Sequence, residues 1–382
     1  MISRPWLLIE VLNSMDLSVR KNDLLRELHL FQGIVERKNT IPILANVLLE
    51  ATGEGNLQLL ATDLEVGLRS HCEASITKQG SLTLPAKKIY EIVRALPETE
   101  IRITEDSKGG VKLSADSFSS RIQTLPKDDF PKVAEPTAVK QVSLPRDVLR
   151  TMVLKTYFAI TGEDTRYFLN GALFILKDDS MSLVATDGHR LALTTTARNG
   201  EGEEEARVIL PKKTLLELSR LLSEGDGDVK YECGDNHLFF IINSRQLVSR
   251  KIDAEFPAYE RVVPSGNDRR IEFDRDRLTS AIKRVALLSS DRLRAVKLNI
   301  STDVVKVTSS SPEVGEAVEP LTVEYKGEPL QICFNAQYVL DFLNVVDTDS
   351  IALKLKDEMS QAVMHPAGAE SDYTYVIMPM RV

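Results

Sequence analysis

Polar and apolar positions along this chain alternate in short runs, interrupted at intervals by stretches of helical spacing. Ile101-Arg102-Ile103-Thr104 and Val111-Lys112-Leu113-Ser114 place apolar side chains on one face of a strand and polar ones on the other. Ala185-Thr186-Asp187-Gly188-His189-Arg190-Leu191-Ala192 lies between two apolar runs, and an Asp-Gly pair in that setting predicts a hairpin. Helices are predicted from Asn22, read as a cap, through Leu24, Leu25 and Leu28, and after Leu84-Pro85 through Ile89, Ile92, Val93 and Leu96. Two more come after Leu210-Pro211 and Phe334-Asn335. Their apolar residues recur three and four apart, so each buries one face.

These elements recur in a fixed order. Asn46-Val47-Leu48-Leu49 leads to Ala61-Thr62-Asp63, and Asn170-Gly171-Ala172-Leu173 leads to Ala185-Thr186-Asp187. Asn46 to Asn170 and Asp63 to Asp187 are both steps of 124 positions. A third step reaches Val307-Thr308-Ser309, matched by pattern alone. Asp129-Phe130-Pro131 and Glu255-Phe256-Pro257 close the first two copies. The chain therefore reads as three units of about 125 residues. Their expected bounds are 15–138, 139–266 and 267–382, with turn formers around Pro136 and Pro264 as linkers. Residues 1–14 fit neither pattern and read either as a disordered extension or as sequence ahead of a true start at Met15.

Composition changes this picture little. The net charge of -8 argues against non-specific nucleic-acid binding through global charge, but leaves room for a local basic surface. Cys72, Cys233 and Cys333 lie far apart with no metal-ligand spacing, which fits a reducing compartment. The apolar run at Trp6-Leu7-Leu8-Ile9 is too short for a membrane span, so a cytoplasmic location is expected.

Candidate chemistry is sparse. Asp187 with His189 resembles an acid–base pair, but Asp63 repeats the acid without a histidine, so a turn-forming aspartate explains both. No phosphate loop, nucleophile elbow or paired Cys/His ligand set occurs. Lysines and arginines recur on the helices of successive units. On one helix they are ordinarily a solvated face; repeated in an acidic chain they suit phosphate contact without sequence readout. The third unit's second helix carries Asp341 in place of such cations.

Three repeats, Ala-Thr-Asp-Gly-His-Arg-Leu-Ala at 185–192 and Val376-Ile377-Met378-Pro379-Met380-Arg381 together resemble the bacterial DNA polymerase III beta subunit family, the replicative sliding clamps. Thr40-Ile41-Pro42-Ile43-Leu44-Ala45-Asn46, Arg166-Tyr167-Phe168-Leu169-Asn170-Gly171 and Phe256-Pro257-Ala258-Tyr259 extend the likeness over Met15 to Val382. The resemblance implies the DNA clamp fold: an α+β chain of three tandem two-helix, antiparallel-sheet domains, forming a six-domain ring as a head-to-tail homodimer. It implies a non-catalytic protein, without cofactor or metal, that encircles double-stranded DNA without sequence preference. It implies a processivity role, tethering the replicative polymerase and other DNA-processing proteins, with loading by an ATP-dependent clamp loader. Two other readings stand beside it: a repeat-built peptide-binding scaffold without DNA, and a nucleic-acid-modifying enzyme using Asp187 and His189.

The family's partners insert a short motif of the Gln-Leu-x-Leu-Phe type between the second and third domains. By motif, the resemblance implies a wall of Leu169, Thr186, Gly188, His189, Arg190 and Leu191. Pro257, Arg261 and Val262 are added by the Phe-Pro-x-Tyr segment. Val376, Ile377, Met378, Pro379, Met380 and Arg381 close the pocket, with Asn335 and Tyr338 facing it. Implied DNA contacts are Lys38, Lys87, Lys88, Arg150, Lys212, Lys213 and Arg284, while the acidic loop Gly162-Glu163-Asp164 argues against a contact there. Leu287, Leu288 and Leu293 should meet a first-repeat edge strand near Ile122 of another copy. Glu313, Glu316 and Glu319 are candidate partners for Lys112 and Arg121 across that interface.

Overall fold

The computed structural model describes residues 14–35, 40–53, 55–106, 110–137, 141–162, 164–200, 205–290, 294–368 and 372–381. Lys38, Leu293, Glu163, Val382, residues 1–13 and most of the acidic run at 200–205 lie outside the described residues. Six α-helices fall within them, two per repeat: α1 (Lys21–Phe31), α2 (Ala86–Ala95), α3 (Arg146–Thr156), α4 (Lys212–Leu222), α5 (Arg275–Ala286) and α6 (Ala336–Val345). A strand runs directly into most of them. Asp274 and Asn335 cap α5 and α6, their carboxylate and amide oxygens accepting from the Arg277 and Gln337 amides. Asn22 is not a cap, contrary to its sequence pattern. α1 begins one residue earlier, and the Lys21 amide is satisfied by the Thr99 carbonyl at 3.0 Å, so no side chain is needed there.

The described chain divides into two compact units, Met1–Arg146 with Arg220–Arg250, and Asp147–Ser219 with Lys251–Val382. The middle repeat contributes to both, because its sheets join those of its neighbours. In the first unit the long strand Val66–Lys78 pairs along one half with Asp16–Arg20 and along the other with Arg245–Arg250. In the second unit Arg190–Ala197 pairs with Tyr373–Ile377. The two junctions obey one rule. The strand after the aspartate turn of one repeat pairs antiparallel with the last strand of the next. The register is also shared, since Val66 faces Ser249 and Arg190, 124 positions on, faces Ile377.

The second unit holds an eight-stranded antiparallel sheet across that junction and a four-stranded sheet ending on Gly315–Thr322. Leu173, Ile175, Val184, Leu191, Ile209 and Val376 form a buried cluster on the larger sheet. Phe256, Tyr259, Val262 and Val263 fold back over it. In the first unit Phe130 packs in the same way on Ile43, Leu44, Leu48 and Leu60. The two Phe-Pro closing signatures are thus apolar clasps that fasten the end of a repeat to its own sheet. A buried ion pair secures the first junction: Arg245 donates through Nε and Nη2 to both Glu27 oxygens at 2.9 Å, and through Nη1 to Glu224 at 2.9 Å.

Candidate functional site

The Asp187 turn shows why one sequence framework occurs twice. Asp187 Oδ1 accepts from the backbone amides of His189 (2.9 Å) and Arg190 (3.0 Å), while Thr186 Oγ1 donates to the Arg190 carbonyl (2.7 Å) and accepts from Gly188 (3.1 Å). In the first repeat Asp63 Oδ1 accepts from Glu65 and Val66, and Thr62 makes the same two bonds. The aspartate is a turn residue in both, and its oxygens are occupied, so it does not orient a catalytic histidine. Gly188 has φ +88° and Leu64 φ +80° at the matching position. A Cβ on Gly188 would meet only the Arg166 guanidinium at 3.5 Å, so the backbone alone penalises a side chain. Gly188→Ala is expected to lower stability by about 1 kcal/mol in chemical unfolding; an unchanged midpoint would mean the turn relaxes freely.

The second repeat differs from the first in the residue that begins the strand after the turn. Val66 is a core residue, whereas Arg190 is a buried cation, 9% exposed. Its Nε donates to Asp187 Oδ2 (3.0 Å), its Nη2 to the Phe158 carbonyl (2.7 Å) and its Nη1 to Asp341 Oδ2 on α6. The guanidinium lies over the Tyr338 ring, 4.2 Å from its centroid. Burial opposes the charge, but the Tyr375, Asp341 and Asp187 contacts together raise the arginine above its ordinary value. Phe342 stacks against Tyr373 and Tyr375, and the Tyr375 hydroxyl donates to the Tyr338 carbonyl at 2.8 Å.

The C-terminal segment crosses this junction. The strand ends at Ile377, and Pro379 has no amide to extend it. The Met378 amide donates to His189 O (2.9 Å) and the Met380 amide to Cys333 O (2.8 Å), tying the tail to both repeats. Around it the structure gathers most of the expected docking residues. Gly188, His189, Pro257, Arg261, Met378 and Arg381 are exposed, and Val262, Asn335, Tyr338, Pro379 and Met380 are half-buried. Leu169, Thr186, Arg190, Leu191, Val376 and Ile377 are buried and form the support beneath. Phe158, Asp341 and Tyr375 belong to the same network, and sequence reasoning missed them as site residues. Asp341 gave the one signal, as an acid where cations were sought.

The expected DNA contacts separate into two groups. Lys87, Lys88 and Arg150 are exposed, with Glu91 reaching the Lys88 ammonium at 2.7 Å. Lys213 is half-buried. Lys212 turns inward: its Nζ donates to the Ile160 carbonyl at 2.7 Å, and burial, with the charge of Arg190, lowers its pKa from the ordinary lysine value. Arg284 is committed to Glu319 through a two-pronged pair at 2.6 and 2.9 Å. Both therefore depart from the free cations expected of them. Arg121 likewise holds Asp106, within its own repeat. Of the acidic loop expected at 162–164, Asp164 is paired with Arg166, which draws its carboxyl down to about 2.

The expected interface residues are mixed. Leu287 is 78% exposed and Leu288 half-buried, but Ile122 is buried within its own chain. What its strand presents is an edge and the exposed Phe118. Among the described residues no cluster of histidine, cysteine and carboxylates has metal-binding geometry, and no helix is long and apolar enough to cross a membrane.

Comparison with known proteins accounts for this architecture. The DNA polymerase III beta subunit N-terminal, central and C-terminal domain models match residues 15–134, 143–258 and 260–381. The chain is 38% identical over 372 residues to the beta sliding clamp of Pseudomonas aeruginosa, covering 96% of this chain and all of that one. It is 34% identical over 371 residues to that of Escherichia coli K12, covering 96% of this chain and all of that one. Among solved structures, a Pseudomonas aeruginosa sliding clamp bound to griselimycin superposes with TM-score 0.91 at 37% identity, covering 97% of this chain and 100% of that one. A Caulobacter crescentus beta sliding clamp superposes at 0.92 with 34% identity and the same coverage. Sliding clamps are processivity factors and non-catalytic, which sets aside the reading of Asp187 and His189 as an enzyme's acid–base pair. The three domain models, the full-length relatives and the repeated fold agree that this chain belongs to the DNA polymerase III beta subunit family of DNA sliding clamps.

Proposed function

We propose that two copies of this chain close head to tail around duplex DNA in the cytoplasm and tether the replicative polymerase, with the Arg190 junction as the docking groove for partner motifs. The exposed Lys87 and Lys88 on α2 and Arg150 on α3 carry the DNA part of this reading. They supply cations spaced for phosphates, with no base-reading cluster beside them, in a protein of net charge -8. Weak contacts of this kind permit sliding, while ring closure prevents escape. Closure is supported by two sheet edges unpaired among the described residues, Phe118–Gln123 and Gly315–Thr322, the latter carrying exposed Val318 and lying near exposed Val314 and Leu287. Partners of the Gln-Leu-x-Leu-Phe type suit the groove, which combines an apolar floor with a few polar anchors. The proposed domain bounds remain 15–138, 139–266 and 267–382.

Reversal of Lys87, Lys88 and Arg150 to glutamate tests the DNA contacts. Affinity for a short linear duplex is expected to fall, and the slope of log affinity against log salt to shrink by about one per lost contact. An unaltered slope would remove these residues from the DNA surface.

A further inference from the structure

We infer that Asp341 is a positioning residue for partner docking, holding Arg190 across the second–third repeat junction so that the groove is formed before a partner arrives. The inference rests on the docking reading above. Of the groups that engage the Arg190 guanidinium, Asp187 and the Phe158 carbonyl belong to the second repeat, and Asp187 moves with the turn itself. Asp341 and the Tyr338 ring come from α6 of the third, and Tyr375 from its last strand. Tyr338 offers a face on which the guanidinium can slide, whereas Asp341 fixes it at a point.

Asp341 is itself held. Its Oδ1 accepts from Gln337 Nε2 at 2.7 Å, one helical turn earlier, and the Gln337 amide donates to the Asn335 cap at 2.9 Å. One relay therefore runs from the α6 cap through Gln337 and Asp341 to Arg190. From there it passes into the turn whose His189 carbonyl receives the Met378 amide. Three of the expected docking elements, the turn, α6 and the C-terminal tail, are links in it. Asp341 is 19% exposed and Arg190 9%, so solvent screens the pair only weakly. Without the carboxylate the guanidinium keeps its contacts within the second repeat but loses its charged anchor on the third, where the neutral Tyr338 and Tyr375 remain. A partner would then have to order the junction as it binds, and affinity falls by that ordering cost.

The test uses the full chain and a fluorescent peptide containing Gln-Leu-Asp-Leu-Phe, read by polarisation. D341N, which keeps shape and loses charge, and D341A are each expected to weaken binding about tenfold, a loss of about 1.4 kcal/mol. Thermal midpoints of D341N are expected to stay within a few degrees of the parent. R190A/D341A should bind no more weakly than R190A alone, a non-additivity that a merely structural role would not produce. A variant lacking residues 378–382 serves as the control. If that deletion abolishes binding while D341N and D341A stay within twofold of the parent, the role of Asp341 is refuted and the groove stands. Additive losses in the double variant also refute it. Undiminished binding by the deletion variant would overturn the groove and this inference together.

Discussion

Arg245→Ala is expected to destabilise the first compact unit by about 3–5 kcal/mol, because it strands Glu27 as a buried charge. Glu27 on α1 is 1% exposed and Arg245 8%. The guanidinium satisfies both carboxylate oxygens and carries Glu224 as a third member. Burial acts to raise the Glu27 pKa, but the Arg245 hydrogen bonds and charge, helped by Arg26, outweigh it and hold the group below its ordinary 4.5. A carboxylate lowered on folding contributes stability above its unfolded value, and that contribution is lost as pH falls through the folded value. In the variant, burial acts largely unopposed, so the penalty is greatest at neutral pH and eases on acidification. Urea unfolding at pH 7 and pH 4 should show the gap between parent and variant narrowing. Replacing both Glu27 and Arg245 with methionine should cost less than R245A alone, because the charges that then lose a partner, Glu224 and Arg26, are solvent-exposed and not buried. A gap below 1 kcal/mol, or one insensitive to pH, would mean that the junction is held by sheet pairing and apolar packing instead.

Deleting residues 378–382 is expected to weaken partner-peptide binding on the order of a hundredfold, about 2.7 kcal/mol, while leaving the fold and the dimer intact. The segment lies beyond the last strand, and among the described residues its removal takes away two backbone bonds, from Met378 to His189 and from Met380 to Cys333. The aromatic stack of Phe342 with Tyr373 and Tyr375 remains. What disappears is one wall of the proposed groove, including the exposed and adaptable Met378. Peptide titration alongside sedimentation of the same sample separates the effects. Unchanged peptide affinity would place docking elsewhere, and dissociation of the dimer would make the tail an assembly element.

The repeat was legible because turn chemistry is local. Asp63 and Asp187 each satisfy amides two and three residues on, and that requirement leaves the same letters 124 positions apart. The amphipathic helices were legible for a similar reason, their spacing being fixed by one buried face. Contacts between repeats left no such trace. Glu27 and Arg245 are 218 positions apart, and Arg190 and Asp341 151, so nothing near either residue records the pairing. The acid is misleading in its own helix too. Glu91 and Asp341 are both the sixth residue of their helices, yet Glu91 pairs with Lys88 on the surface while Asp341 reaches another repeat. Likewise Lys212 and Arg284 look like free cations, since a carbonyl from residue 160 and a carboxylate from residue 319 engage them only after folding. Recognising the family supplied the proposed docking residues by motif, but it did not distinguish those that are exposed from those that are buried.

The central claim is topological, and one measurement addresses it directly. The protein is loaded by a clamp loader and ATP onto nicked circular DNA, freed of unbound protein by gel filtration, and monitored as the circle is cut with a restriction enzyme. The account predicts stable retention on the circle and rapid loss once ends exist, because a closed ring with weak phosphate contacts escapes only by sliding off. Retention that is equal on circular and linear DNA would contradict it, since the protein would then be held by contacts and not by encirclement.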